Sequence, residues 1–373
     1  MLSEIQRRLH EGVNYRLRTL AGGRLASYCR PVCPLILLTE LCNARCVHCD
    51  IWKNRGREDS PTVDQWKTVL SDLREWLGPA QVVFTGGEAL LKPFTIELVA
   101  HASSAGLFLE ILTHGYWDDQ SKIEKLVLAQ PWKVTISVDG IGELHTTIRR
   151  RDKFWEKTST TIETVKRVRA ENRLKTIIRL KNVIMSHNLE GVCDVARFAN
   201  QPGMEVFFQP IEQNYNTPED PRWWESTDNW PRDTEKAVRV VEQLIEMKRQ
   251  GFRIANSHEQ LRVMIPYFRN PDSLRVTTQS HEAHEHRPLC SALNMLQVQA
   301  NGDVTTCTSQ EPVGNIKTTP VRKIWENRPR WWESGCCLAR RLTEAEREAV
   351  SLRPVASGSG SWLSHQGSGI PGF

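Results

Sequence analysis

Leu38 to Trp52 reads LTELCNARCVHCDIW and places three thiols at Cys42, Cys46 and Cys49. The stretch opens at the end of PLILLTE (34–40), an apolar run of strand length. Three soft ligands directly after a first strand put a metal group at that strand's carboxyl end. Structural zinc takes four ligands, often from paired CxxC knuckles. His48 or Asp50 could supply a fourth, but no second knuckle lies close by in the chain. On a cubane iron–sulfur cluster, three thiolates leave one iron without a protein ligand, open to a substrate or cofactor.

Outward from these cysteines the same arrangement repeats. The first run, 34–40, leads to a helical pattern at 62–76. QVVFTGG (81–87) leads to 93–104, LFLEILT (107–113) to 120–129, and KVTISVDG (133–140) to 158–171. TIIRLKNVI (176–184) leads to 188–199, and EVFFQPI (205–211) to a helix near 233–249. Six strand-then-helix units argue for an α/β fold with a parallel sheet and outer helices, either an open wound sheet or a partial barrel. Ligands in such sheets collect beyond the carboxyl ends of the strands. Between the sixth strand and its helix lies NYNTPEDPRWWESTDNWPRD (214–233), long and rich in Pro and Trp. It either covers the mouth of the sheet or packs its tryptophans against the next domain.

The remaining organisation follows from composition. Residues 1–33 read as a basic amphipathic helix and a lead-in, 34–250 as the main domain, and 251–280 as a linker. From about Ser280 the periodicity changes, and LNMLQVQANGDVTTC reads as a hairpin turning at Asn301–Gly302–Asp303. This second module spans 281–348. The tail, 349–373, is Gly/Ser-rich and expected to be disordered. The net charge of +5 is mild. Basic residues between Arg149 and Lys181 are mixed with apolar ones and read as a solvated face, so nucleic acid is not an expected partner. The N-terminal stretch is charged throughout and lacks an apolar signal core. The apolar run around PVCPLILLT is too short to span a bilayer. A cytoplasmic, reducing location is therefore expected, and the ten cysteines are expected as ligands, nucleophiles or core residues, not disulfides.

With the cysteines and the repeat in place, the chain resembles the radical S-adenosylmethionine (radical SAM) enzymes, whose CxxxCxxC follows the first strand of a βα repeat. The resemblance implies a partial (β/α)6 TIM-like barrel. It implies a [4Fe–4S] cluster held by Cys42, Cys46 and Cys49, with the amine and carboxylate of S-adenosylmethionine chelating the fourth iron. One electron then cleaves the sulfonium and yields a 5′-deoxyadenosyl radical that abstracts a hydrogen atom from the substrate. Gly86, Gly87 and Glu88 match the family's GGE motif, which holds the methionyl amine, and glycine there permits close backbone approach. Ser137 and Asp139, in ISVDG, match its S-x-D-G, with Ser137 facing the cofactor's carboxylate or ribose. Arg149 would pair with that carboxylate. Gln209, ending the sixth strand, would reach the ribose or adenine. His48 would stack beside the adenine, where members often carry an aromatic residue. Taken singly, the same residues also read as a turn (Gly86 to Glu88), a strand end (Ser137) and a surface arginine (Arg149).

A second cysteine set lies late in the chain, at Cys290, Cys307, Cys336 and Cys337. Eleven residues separate Cys290 from Gly302, and four separate Gly302 from Cys307. This CX11GX4C spacing, followed by VGNI (313–316) and KIWE, resembles the SPASM and twitch extensions of the family. There a small β-hairpin/helix module holds an auxiliary iron–sulfur cluster near the substrate. The adjacent Cys336 and Cys337 depart from the usual CxxC. Either one of them serves with Cys290 and Cys307 and leaves an open iron, or both bind with strain. Cys193 reads as core, while Cys29 and Cys33 flank the first strand without a pattern. HEAHEH (281–286) lacks the spacing of zincins and reads as a polar linker.

The resemblance implies an oxidoreductase, dehydrogenase-like or epimerase-like, served by an electron donor such as flavodoxin or ferredoxin. About 33 residues precede the first strand, too few for the winged-helix leader-peptide domain of many peptide modifiers. The expectation therefore leans to a small hydroxyl-bearing metabolite such as a sugar, with ribosomal peptide modification as the alternative. From another class, the rival is a zinc-stabilised binding protein.

Overall fold

The computed structural model describes residues 2–19, 25, 28–54, 59–214, 217, 220, 222–271, 293–307 and 311–329. Helix α1 (Leu2–Thr19) leads in. There follow β1 (Leu35–Thr39), α2 (Val63–Leu77), β2 (Gln81–Gly86), α3 (Thr95–Ser104), β3 (Phe108–Thr113), α4 (Ser121–Leu128) and β4 (Lys133–Ser137). Next come α5 (Glu143–Arg149), α6 (Phe154–Glu171), β5 (Ile177–Ile184), α7 (Val192–Ala199), β6 (Met204–Pro210), α8 (Trp223–Ser226) and α9 (Thr234–Arg249). Strands β1 to β6 stand in chain order, each parallel to the next. This is the expected α/β architecture, a TIM-like partial barrel.

Strand residues alternate between two buried faces, as the period of 2 requires. Ile36, Val82, Phe84, Leu109, Ile111, Val134, Ile136, Ile178, Val206 and Phe208 pack outward against the helices. Leu35, Leu37 and Val83 pack inward with Leu112 and Cys33. Much of the rest of the inner face is polar and pairs with itself. Glu110 accepts from Gln81 Nε2 at 2.9 Å and Thr135 Oγ1 at 2.5 Å, and Arg179 Nε donates to Glu205 at 2.7 Å. Buried charge needs such partners. Below this layer, α1 lays Arg7 over Phe108 and Trp132, 5.6 and 5.5 Å from the ring centres. It thus covers the amino-terminal end of the strands, opposite the cysteines. Cys193 joins the outer core, as expected.

Two segments differ from the sequence reading. The helix expected at 158–171 starts at Phe154, and α5 precedes it, so Arg149 ends a helix and does not sit in a loop. Seven residues are too few for a periodicity window to register. Residues 251–271, read as linker, contain α10 (His258–Arg262) and α11 (Met264–Arg269). Helix α10 starts on a Ser257/Gln260 capping box. The Trp-rich segment packs here: Trp230 lies 5.3 Å from Tyr267 and 5.6 Å from Phe268 and Trp223.

The second module supplies β7 (Gln297–Val298), β8 (Asp303–Thr305), β9 (Gly314–Asn315) and α12 (Val321–Glu326). Strand β7 pairs with β1 in parallel, and β8 and β9 are added antiparallel. The hairpin turns through Gly302 at φ +89°, a conformation that favours glycine. Trp325 Nε1 donates to Cys29 O at 3.0 Å, and its ring meets Trp76 edge-on. Cys290, Cys336, Cys337, HEAHEH and the 349–373 tail lie outside the described residues. Among the described residues, no helix is long and apolar enough to cross a membrane.

Candidate functional site

The site forms where β1 runs out into the cysteine loop. Pairing of β1 with β2 shifts register between Leu37 and Thr39. Gly87 N then donates to Thr39 O at 2.7 Å, and Glu88 N to Leu41 O at 2.8 Å. A Cβ on Gly86 would stand 2.2 Å from Thr39 O, and one on Gly87 2.2 Å from Leu41 O. The glycine pair is therefore required by close approach, and the backbone it approaches is that of the cysteine loop.

The loop gathers its thiols. Cys42, Cys46 and Cys49 pack with Ala44, Tyr116 and Phe154 in one small apolar cluster. Burial pushes Cys49 up to about 11 and raises Cys42 and Cys46 as well. Among the described residues, no three Cys, His, Asp or Glu side chains converge on a point that could hold a single metal ion.

A buried cation stands beside the thiols. Arg149 Nη2 lies 2.6 Å from Asp139 Oδ2, and Nη1 donates to Cys46 Sγ at 3.4 Å. Asp139 also accepts from Val183 N at 3.1 Å through Oδ1, and its carbonyl accepts from Asn188 Nδ2 at 2.8 Å. Burial works to raise Asp139, but the Arg149 charge and the nearby His48 and His145 outweigh it and hold the carboxyl below the usual range. Arg149 Nε and His48 Nδ1 are buried with no hydrogen-bond partner among the described residues. Buried polar atoms normally find one, so a polar ligand beside them would complete both. Thiols, cation and unsatisfied atoms together fit an iron–sulfur cluster with a polar cofactor beside it.

The loop is held on three sides. Free carbonyls at the end of α5 accept from it, Ile148 O from Val47 N at 3.0 Å and Arg149 O from Arg45 N at 3.3 Å. From the long segment after β6, Asn229 Nδ2 donates to Val47 O at 3.0 Å and Asn214 Nδ2 to the same oxygen at 3.3 Å. That segment thus reaches the mouth and also packs its tryptophans on α11. On the β2 side, Glu88 turns its carboxylate to the end of β3. It accepts from His114 N at 2.8 Å, Thr113 Oγ1 at 3.0 Å and Leu90 N at 3.1 Å. Burial raises it to about 7. His114 Nδ1 accepts from Tyr116 N at 2.9 Å, so the ring's proton sits on Nε2, which donates to Asn43 Oδ1 at 2.6 Å. Burial keeps this imidazole neutral.

The other expected residues take these places. His48 is half-buried and pushed down to about 4 by desolvation, with Nε2 4.0 Å from Asp139 Oδ2. Ser137 ends β4, in register with Lys181, and Gln209 lies next to last in β6, opposite Val183. Arg149 is buried and not a surface arginine. Cys307 lies just past β8, half-buried. Sequence reading missed His114, Asn43, His145, Asn214 and Asn229. For His114 the available signal was its place, a polar residue directly beyond the carboxyl end of a strand.

Comparison with known proteins agrees with this geometry. Residues 36–199 match the family model of the Radical SAM superfamily, and residues 290–346 that of the SPASM iron–sulfur cluster-binding domain. An AdoMet-dependent heme synthase of Methanosarcina barkeri is 24% identical over 300 residues, 78% of this chain and 80% of the relative. A PqqA peptide cyclase of Bradyrhizobium diazoefficiens is 34% identical over 114 residues, 30% of each chain. The structure of Streptococcus suis SuiB bound to precursor peptide SuiA shares the fold, with a TM-score of 0.60 at 14% identity, over 86% of this chain and 69% of that one. A zinc-stabilised binding protein is thereby set aside. The thiol cluster and both family matches lead to one conclusion: the chain belongs to the radical SAM superfamily and carries a SPASM extension, so its cofactors are a [4Fe–4S] cluster, S-adenosylmethionine and an auxiliary iron–sulfur cluster.

Proposed function

We propose that this radical SAM enzyme acts on a peptide. The observation that carries the reading is the 34% identity to a PqqA peptide cyclase over 114 residues. It has more support than the small hydroxyl-bearing metabolite to which the short lead-in pointed. Cys42, Cys46 and Cys49 hold the catalytic cluster. Bound there, cluster and S-adenosylmethionine supply one-electron sulfonium cleavage and a hydrogen-abstracting 5′-deoxyadenosyl radical. Arg149 sets a fixed positive charge beside Cys46, and Asp139 orients it. The free Nε of Arg149 is the donor offered to the cofactor's carboxylate. The Gly86–Glu88 turn holds the loop and presents its backbone to the methionyl amine. Ser137, His48 and Gln209 receive the nucleoside end. Cys290 and Cys307, with one or both of Cys336 and Cys337, hold the auxiliary cluster, and flavodoxin or ferredoxin supplies the electron.

The test is anaerobic reconstitution and then a screen of synthetic peptides encoded by short reading frames beside the gene. The expected result is peptide-stimulated 5′-deoxyadenosine formation and a modified peptide. Loss of two hydrogens marks bond formation or oxidation, and unchanged mass with an inverted centre marks epimerisation. Cys42→Ala, Cys46→Ala and Cys49→Ala should each abolish cleavage of S-adenosylmethionine. Stimulation by an iron porphyrin and by none of the peptides would replace the peptide with a haem precursor, in line with the 24% identical heme synthase.

A further inference from the structure

The turn after α5 reads RRRDK (149–153), and most of its charge is left open. Arg150, Arg151 and Lys153 are exposed, as is Arg45 in the cysteine loop. Nearby cations are neutralised: Arg149 by Asp139 and Lys157 by Asp118. Among the described residues, no carboxylate stands within ion-pair distance of Arg45, Arg150 or Lys153. The backbone at two of these positions is left-handed. Arg150 and Lys153 adopt φ +54° and +57°, left-handed conformations that suit glycine or asparagine and are strained for long side chains. Glycine would adopt both conformations without that cost.

The patch abuts the thiols. Arg149 of the same turn touches Cys46, and the Arg151 guanidinium donates to Asn43 O. Arg151 also lies 5.2 Å from the centre of the Tyr116 ring, which packs on the cysteines. The turn follows β4 and Tyr116 follows β3, in the middle of the sheet, and Arg45 lies in the cysteine loop after β1.

We infer that Arg45, Arg150 and Lys153 form the docking surface for a small acidic protein that donates one electron, of the flavodoxin type. The inference rests on the radical reading above. One electron leaves the donor and one enters the cluster held by Cys42, Cys46 and Cys49, with no bond made or broken. The charges are complementary, and the turn brings the partner against the thiol cluster. Attraction between such surfaces acts mainly on association and is screened by salt.

The experiment compares reconstituted wild type with R150G/K153G and R150E/K153E. The probes are a reduced acidic bacterial flavodoxin and, separately, dithionite. Glycine suits both φ values, so R150G/K153G should melt no lower than wild type. Flavodoxin-driven cluster reduction should fall about tenfold in R150G/K153G and further in R150E/K153E. Calorimetric affinity for oxidised flavodoxin should weaken in parallel, and added KCl should slow wild type far more than the variants. Iron content and dithionite-driven cleavage of S-adenosylmethionine should not change. A flavodoxin rate within twofold of wild type in R150E/K153E would overturn the docking surface. Equal loss with dithionite would also overturn it, because the turn would then serve the site's integrity. Failure of wild type itself to cleave S-adenosylmethionine with dithionite would instead remove the radical reading.

Discussion

Gly87→Ala probes how the cysteine loop is held. The added Cβ would stand 2.2 Å from Leu41 O and 2.8 Å from Glu40 O, where ordinary contact begins near 3.4 Å. Both obstacles are backbone, so no side chain can swing away. Relief must part β2 from the loop and stretch the Gly87–Thr39 and Glu88–Leu41 hydrogen bonds, now 2.7 and 2.8 Å. Two such bonds are worth about 1 kcal/mol each, and overpacking costs about 1–3 kcal/mol. The expected loss is about 3–5 kcal/mol, a fall in melting temperature of about 6–15 °C for a domain of this size. Because the displaced segment runs straight into Cys42, reconstituted iron should fall with it. Gly12→Ala is the control. It lies within α1 with nothing inside 4 Å of the new carbon, and alanine should stabilise the helix by about 1 kcal/mol. Melting curves by circular dichroism and iron assays on both variants decide the matter. If Gly87→Ala melts within about 2 °C of wild type with full iron, the packing argument is wrong.

Three more outcomes are expected from the same geometry. Arg149→Gln leaves Asp139 buried without its partner and should cost about 3–5 kcal/mol, while D139N/R149Q should recover most of that; equal losses in a denaturant series would show that the two groups are not coupled. Burial and the Arg149 charge push His145 down to about 3, and its Nδ1 already accepts from Asp139 N at 3.1 Å. With the folded value below the ordinary 6.5, its contribution is complete above pH 6.5 and fades as pH falls towards 3. Between pH 6.5 and 5.5, His145→Gln should therefore lose about 1 kcal/mol less stability than wild type, and parallel curves would refute this. Asn229→Ala removes donors to Val47 O and Asn214 Oδ1 and should cost about 1–3 kcal/mol; bound iron should also pass to a chelator faster, and unchanged transfer would mean that the loop needs no clasp from the segment after β6.

The sequence by itself determined the features written in local spacing. The three cysteines, the six strand–helix units, the Gly-Gly-Glu turn and the Gly302 hairpin each depend on residues a few positions apart. Periodicity and ligand spacing register at that range. What only the tertiary structure decided are contacts between distant parts of the chain. Arg149 meets Cys46 across 103 positions, Asn229 meets Val47 across 182, and His114 meets Asn43 across 71. No pattern along the chain marks such pairs, because a polar side chain's partner is set by which strand ends the fold brings together. The same holds for Gly87. Its sequence announced a need for close approach, but not that the neighbour is Leu41 O, since the pairing of β1 with β2 and its register shift alone fix which atoms meet there. Arg149 changed from a surface possibility to a buried ion-paired cation for one reason: a helix of seven residues, too short to register in the sequence, turns it inward beside Asp139.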